Sequence, residues 1–357
     1  MKSARRVGRT IAAATMALSG AAHAQGSVTL YGVVDAGFQI TSKTAGPNGT
    51  NAGRTFALTD GGAGPSVFGL QGREDLGGGL QAIFALESGI DVVNGGFNNS
   101  NGNLFGRQAW VGLTGSFGTI KLGEQFSPFF LSVFASDPRT FSSFGSGIVL
   151  YGNNVFLTGA VNANAISYSS PTIAGFQGSA LFAPGGIAGD FQAGRQWAAS
   201  IQYDYGPLTI NAAIYDGNAG GQATPVPTGV EFLGRTLGVS YRFSPLTLKA
   251  SFTSYKVAGS FNDDVFGGGF DYAALPSLDL NGGVWYTTDR NNSNNHSLMG
   301  AAGVNYLLSK RTTLYTQIEV VNNHGAMNTG FSVSMPQLLF GVPGTAVGAN
   351  VGIRHTF

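Results

Sequence analysis

The rhythm of the connections narrows the fold more than any other feature of this chain. Segments of period-two alternation lie near 27–41, 54–74, 80–88, 105–115, 118–126, 164–170, 175–183, 196–205, 208–216, 234–243, 246–256, 266–275, 278–288, 297–307, 312–323 and 345–357. Amphipathic helical runs are missing. Alternation at 180° per residue specifies strands with unlike faces. In Leu208–Tyr215, for example, Leu208, Ile210, Ala212 and Ile214 oppose Thr209, Asn211 and Tyr215. The gaps between segments alternate strictly between long and short. Short ones, such as Asp75–Gly79, Gly206–Pro207 and Ser244–Pro245, place Gly or Pro at tight turns. Long ones (42–53, 89–104, 127–163, 184–195, 217–233, 257–265, 289–296, 324–344) are rich in Gly, Asn, Ser and Thr. A two-layer sandwich has no reason to sort its loops by length onto opposite ends. A closed membrane barrel does, with tight periplasmic turns and long extracellular loops, and the even count of sixteen segments suits it. The expected fold is all-β: a sixteen-stranded antiparallel transmembrane β-barrel.

Composition agrees. Only 10% of the 357 residues are charged, where a soluble domain carries about 25%. The mean hydropathy is slightly positive and there is no cysteine, so the chain holds itself by packing and backbone hydrogen bonds. No run reaches the ~18–20 apolar residues of a membrane helix. Residues 1–24 read as a removable signal peptide. Lys2, Arg5, Arg6 and Arg9 are its basic region, Ile11–Ala21 its apolar core, and Ala22-His23-Ala24 its cleavage site. One barrel domain, 25–357, remains. The leader takes four of the 19 basic residues and none of the 18 acidic ones, which turns +1 into −3. That balance excludes nucleic acid as a partner, since a basic stripe would be needed. Tyr203, Tyr205, Tyr241, Phe243, Tyr286, Tyr306 and Phe357 fall near strand ends on the apolar faces, where interfacial girdles belong.

Catalytic and metal-binding constellations are not legible. Of four histidines, His23 leaves with the leader, His296 and His324 fall in expected loops, and His355 lies near the end. None has a partner at i+2 or i+4, so no zinc site is expected. Gly77-Gly78-Gly79 is a turn, because neither Lys-Ser/Thr nor a helix follows it. Asp263-Asp264 reads as a loop pair, more often solvated than bound to a divalent ion. A barrel enzyme would cluster His, Ser and Asp at one rim, and an adhesive protein would show a short repeat; neither is present. The chain is expected to be no enzyme and to need no cofactor or metal.

Four blocks carry a family resemblance: Ser27–Gly37 (SVTLYGVVDAG), Gly69–Ser88 (GLQGREDLGGGLQAIFALES), Phe105–Gly123 (FGRQAWVGLTGSFGTIKLG) and Val351–Phe357 (VGIRHTF). Together they resemble the general porins of beta-proteobacterial outer membranes, from Gln25 to Phe357. The resemblance implies a homotrimer in the outer membrane, in contact with its lipid and lipopolysaccharide, passing ions and small hydrophilic solutes passively. It implies a third extracellular loop folded inward to narrow the pore. It also implies that Phe357, ending the last strand, is an assembly signal for the outer-membrane barrel assembly machinery.

The candidate inward loop is 127–163, the longest gap. It carries ten large apolar residues, including Phe129, Phe130, Leu131 and Phe134, and its only charges are Asp137 and Arg139. Relatives tend to carry a basic ladder on the facing wall. Here Val67, Gln71 and Gln81 stand in such places, and Glu124 follows Gly123 where Arg is common. By parity the lumen charges are Arg73, Lys121, Lys249 and Arg354 against Asp35, Glu87, Asp204, Asp271, Asp279 and Glu319. Rings of charge set ion preference, so weak selectivity is expected. The constriction is expected to set Arg73 and Lys121 against Asp137 and Arg139.

Overall fold

A computed structural model describes residues 26–221 and 230–357; the expected leader lies outside the described residues. Seventeen strand segments follow one another: β1 (Ser27–Thr41), β2 (Thr55–Asp60), β3 (Val67–Gly77), β4 (Leu80–Gly89), β5 (Gln108–Gly115), β6 (Gly118–Phe126), β7 (Val161–Ser169), β8 (Phe176–Ala183), β9 (Gln196–Tyr205), β10 (Leu208–Gly217), β11 (Phe232–Arg242), β12 (Leu246–Val257), β13 (Asn262–Leu275), β14 (Leu278–Asp289), β15 (His296–Leu307), β16 (Thr312–His324) and β17 (Gly344–Thr356). Each pairs antiparallel with the segments beside it, except that β2 pairs with β1 alone among the described residues, and β17 returns to β1 with Val33 opposite Thr356 and Thr41 opposite Gly348. Phe357 completes the seam, exchanging both backbone hydrogen bonds with Gly32. The sheet is a closed barrel of sixteen staves. The extra segment arises because β2 and β3 pair with different halves of β1, Ala36–Thr41 and Ser27–Val33.

The broken stave departs from the expected continuous strand over 54–74. Gly61-Gly62-Ala63-Gly64-Pro65-Ser66 interrupts it, and the cause is chemical. Gly61 sits at φ +68°, where only glycine is unstrained. Pro65 cannot donate to a ladder. Gly62 presses so close to β16 and β17 that a Cβ there would overlap both the Tyr315 hydroxyl and the Asn350 amide.

Side chains sort opposite to a soluble protein. Leu30, Leu58, Val111, Leu122, Ile201, Leu237, Val284, Ile318 and Val351 lie exposed along the outer face, while Gln39, Asn211, Gln317 and Asn350 are buried inside. A contiguous apolar exterior of this extent needs lipid as its solvent. The girdle aromatics keep to that face; Tyr205, Tyr241, Phe243, Tyr286, Tyr306 and Phe357 are all exposed.

The apolar core lies within the barrel. Between β6 and β7 the chain forms two helices, α1 (Pro128–Ser136) and α2 (Gly147–Val155). Ser127 caps α1 by accepting from the Phe130 N–H at 3.0 Å, and Pro128 opens its first turn. Phe129 is fully buried, with ring centroids of Tyr151, Tyr215, Phe232 and Tyr255 within 6.0–6.3 Å. Its ring lies on Gly234 of β11, where a Cβ would meet it at 2.6 Å.

Candidate functional site

The candidate site is the barrel interior, between 127–163 and the strands around it. One end of α1 is held by charge. Lys249 of β12 donates from Nζ to the Ala135 and Asp137 carbonyls, both at 3.0 Å. A cation on the open carbonyls of a helix C-terminus is favourable twice over, by hydrogen bond and by dipole. Lys249 is therefore a clamp on the segment rather than a free lumen charge.

Asp137 and Arg139 do not face Arg73 and Lys121 as expected. Both are 3% exposed. Asp137 accepts from the Arg139 and Phe141 N–H groups at 2.8 and 3.0 Å, and from Gly147 N–H, the first residue of α2, at 2.7 Å. Burial holds its carboxyl above the usual carboxylate range, and these donors with the Arg139 guanidinium offset only part of that rise. Arg139 turns to the other wall. Its Nε donates to Asn281 Oδ1 at 2.9 Å, Nη2 to Gln317 Oε1 at 2.5 Å, and Nη1 to the Phe144 and Gly145 carbonyls at 2.7 and 2.5 Å. Burial lowers its affinity for the proton, and Asp137 and Glu319 offset only part of that loss. A lone charge pair in a loop looks like a constriction pair, yet here the guanidinium is spent on orphan carbonyls and strand amides. Parity cannot show that, because these partners lie up to 178 residues away.

The channel-facing residues of α1 are instead Leu131 and Phe134, 49% and 42% exposed. The apolar load of the segment is only partly buried.

Arg73 and Lys121 do share a level. Arg73 pairs with Ile83, Ile83 with Gly112, and Gly112 with Lys121. Three strand spacings put their backbones about 14 Å apart along one rung. Arg73 is exposed and Lys121 half-buried, its Nζ 4.1 Å from the Trp110 ring centroid. Lys121 also lines a polar cavity of about 220 Å³ with Gln125, Ser167, Ser179 and Gln202.

The lumen acids divide into two groups. Asp35 is fully buried under the strand break, accepting from Tyr315 at 2.6 Å and from the Ala63 and Gly64 N–H groups at 3.2 and 3.0 Å. Glu87 accepts from Arg107 Nε at 2.8 Å and the Tyr31 hydroxyl at 2.9 Å. Glu319 is 1% exposed beneath Gly145 and has no hydrogen-bond partner among the described residues. Asp204, Asp271 and Asp279 remain open to solvent in part or whole. Arg354 lines a second polar cavity of about 420 Å³ at the short-turn end, together with Lys310, Arg311 and Asp279. Counting charges by parity overstated the acids.

Two further readings change. His296 and His324 are not loop residues: they sit at the ends of β15 and β16, directly paired, with ring centroids 4.5 Å apart. Sequence spacing hid a cross-strand neighbour. No group of three or more His, Cys, Asp or Glu is placed to hold a metal among the described residues. Asp263 and Asp264 belong to β13, where Asp263 faces Asp289 and Asp264 approaches Arg290 at 3.8 Å.

Comparison with known proteins completes the picture. A family model described as Gram-negative porin matches residues 10–326. Outer membrane porin protein 32 of Delftia acidovorans is 31% identical over 97% of this chain and 99% of its own length. An outer membrane porin protein of Bordetella pertussis is 30% identical, with the same coverage. Among solved structures, the anion-selective porin from Comamonas acidovorans superposes with a TM-score of 0.79 at 26% identity, covering 93% of this chain and all of that one.

Proposed function

Because this chain belongs to the Gram-negative porin family, it is an outer-membrane diffusion channel for ions and small hydrophilic solutes and not an enzyme, and we propose that its pore is narrowed by 127–163 and moderately favours anions. The observation that carries the proposal is the asymmetry of charge at the Arg73–Lys121 rung. Asp35, Glu87 and Glu319 are buried, and the open acids Asp204, Asp271 and Asp279 lie off the rung that runs from Arg73 through Ile83 and Gly112 to Lys121, which carries no carboxylate. The loop surface opposite the Arg73–Lys121 rung offers Leu131 and Phe134, not carboxylates. Within a low-dielectric wall the Arg73–Lys121 pair, with no carboxylate on its rung, focuses a local positive potential. The likeness to an anion-selective relative points the same way. A moderate anion preference goes further than the weak selectivity expected from Val67, Gln71, Gln81 and Glu124 and from the parity of the lumen charges.

The same reading makes the functional unit a homotrimer set in outer-membrane lipid and lipopolysaccharide, with the long loops outside. It makes Phe357, which lies over Gly32 at the closing seam, the signal that the barrel assembly machinery reads. The deciding experiment is a reversal potential across a planar bilayer in a tenfold KCl gradient. The potential should take the anion-selective sign, with three equal conductance steps per inserted unit. A reversal potential of cation-selective sign overturns the assignment of charge, and single steps overturn the trimer.

A further inference from the structure

The apolar face of α1 borders a cavity that a purely hydrophilic channel has no use for. It measures about 290 Å³ and is lined by Phe126, Phe130, Leu131, Phe134 and Phe141, with Arg107 at its edge. The rings form a continuous surface. Phe126 stacks on Phe130 at 5.4 Å, and Phe141 meets Phe130 and Phe134 edge-on, each at 5.5 Å. Fixing Leu131 and Phe134 exposed to channel water forgoes the stabilisation that burying their apolar surface would bring. Packing does not require it, since α1 docks through Phe129 and Val133 on its other face.

The polar edge is equally specific. Glu87 divides its acceptor capacity between Tyr31 and Arg107, so it engages only Nε of the guanidinium. Nη1 makes one long contact, 3.5 Å, to the Asn99 carbonyl, and no acceptor meets Nη2 among the described residues. The guanidinium carbon lies 5.5 Å from the Phe126 ring centroid. A half-engaged fork beside an aromatic wall matches a flat apolar ring bearing a carboxylate. Phe126 and Leu131 also border the polar cavity that holds Lys121. The next cation met by such a carboxylate is therefore Lys121.

We infer that this cavity is a binding site for small aromatic carboxylates, placed so that solutes of this class dwell in the channel before passing the Lys121 level. The inference rests on the channel reading given above and names a solute class for it. The test uses the whole purified protein and three compounds: benzoate, acetate and benzyl alcohol. In planar bilayers, benzoate should interrupt the current at concentrations at least tenfold lower than acetate. Each variant is scored against its own open current. Phe134→Ser with Leu131→Ser should weaken the benzoate block at least tenfold, and Arg107→Gln should weaken benzoate while leaving benzyl alcohol unchanged. Saturation-transfer NMR of benzoate on the detergent-solubilised protein reads the site independently of conductance. A protein that conducts nothing yet binds benzoate through Phe134 defeats the channel reading and keeps the site. Benzoate acting no more strongly than acetate, or equally on the wild type and the Phe134/Leu131 variant, overturns the inference.

Discussion

Replacing Phe129 with alanine should release α1 without opening the barrel. Phe129 is fully buried and meets four aromatic rings at 6.0–6.3 Å. Truncating a buried Phe costs about 3–5 kcal/mol, most where the surroundings cannot collapse into the space. Collapse is hindered here, because Tyr215, Phe232 and Tyr255 stand on the paired strands β10, β11 and β12. The helix lies outside the ladders, so the loss falls on its docking. At 1.4 kcal/mol per factor of ten, local opening becomes ~100- to ~4,000-fold more frequent. Amide hydrogen exchange by mass spectrometry should show that acceleration across 128–155, with β14–β16 unchanged. Unaltered exchange in 128–155 would refute the anchoring role. Equal loosening of the distant strands would refute the separation of loop from wall.

Four further outcomes follow from the same geometry. Arg73→Gln with Lys121→Gln should move the reversal potential toward cations; no movement would mean that this rung does not line the narrowest point. Arg139→Met strips Glu319 of its nearby cation and should destabilise the segment by about 3–5 kcal/mol, and adding Glu319→Gln should recover part of that, as read by hydrogen exchange. Gly62→Val drives a side chain into Tyr315 and Asn350; overpacking costs about 1–3 kcal/mol, so the heat-modifiable form should melt earlier on gel electrophoresis. Deleting Phe357 removes two seam hydrogen bonds to Gly32 and should reduce the folded protein at the cell surface, measured by surface labelling.

The staves were legible because a strand between lipid and water must alternate, and that requirement writes itself locally. Leu246–Val257 and Gly344–Thr356 could be read to within a residue or two for this reason. The break at 61–66 was not legible. Its Gly and Pro are visible, but its cause is the approach of Tyr315 and Asn350 from the far end of the chain. Asp137 and Arg139 failed in the same way, since a charge in a loop carries no mark of whether it will meet water or a buried carbonyl. Lys121 and Arg73 could be placed on one face by parity, but their common level needed the register of four strands. Alternation tells which way a side chain points from its strand and leaves its height along the barrel open.

The broken stave also bears on which parts of the surface are free to change. Long loops of such a barrel are ordinarily the places where residues turn over at little cost. Here several act as masonry for the wall. The Val92 N–H and the Asn98 side chain donate to Asp60 at 3.4 and 3.0 Å, and Ser334 donates to the Gly61 carbonyl at 2.9 Å. Among the described residues β2 keeps a ladder register with β1 alone, so these loop contacts stand in for a missing neighbour along that stretch. Drift at exposed loop positions such as Pro47 and Asn48 can proceed without touching the pore. A change at Asn98 or Ser334 reaches, through one carboxylate or one carbonyl, the shape of the channel itself, so the exposed surface is a mosaic of replaceable and irreplaceable patches.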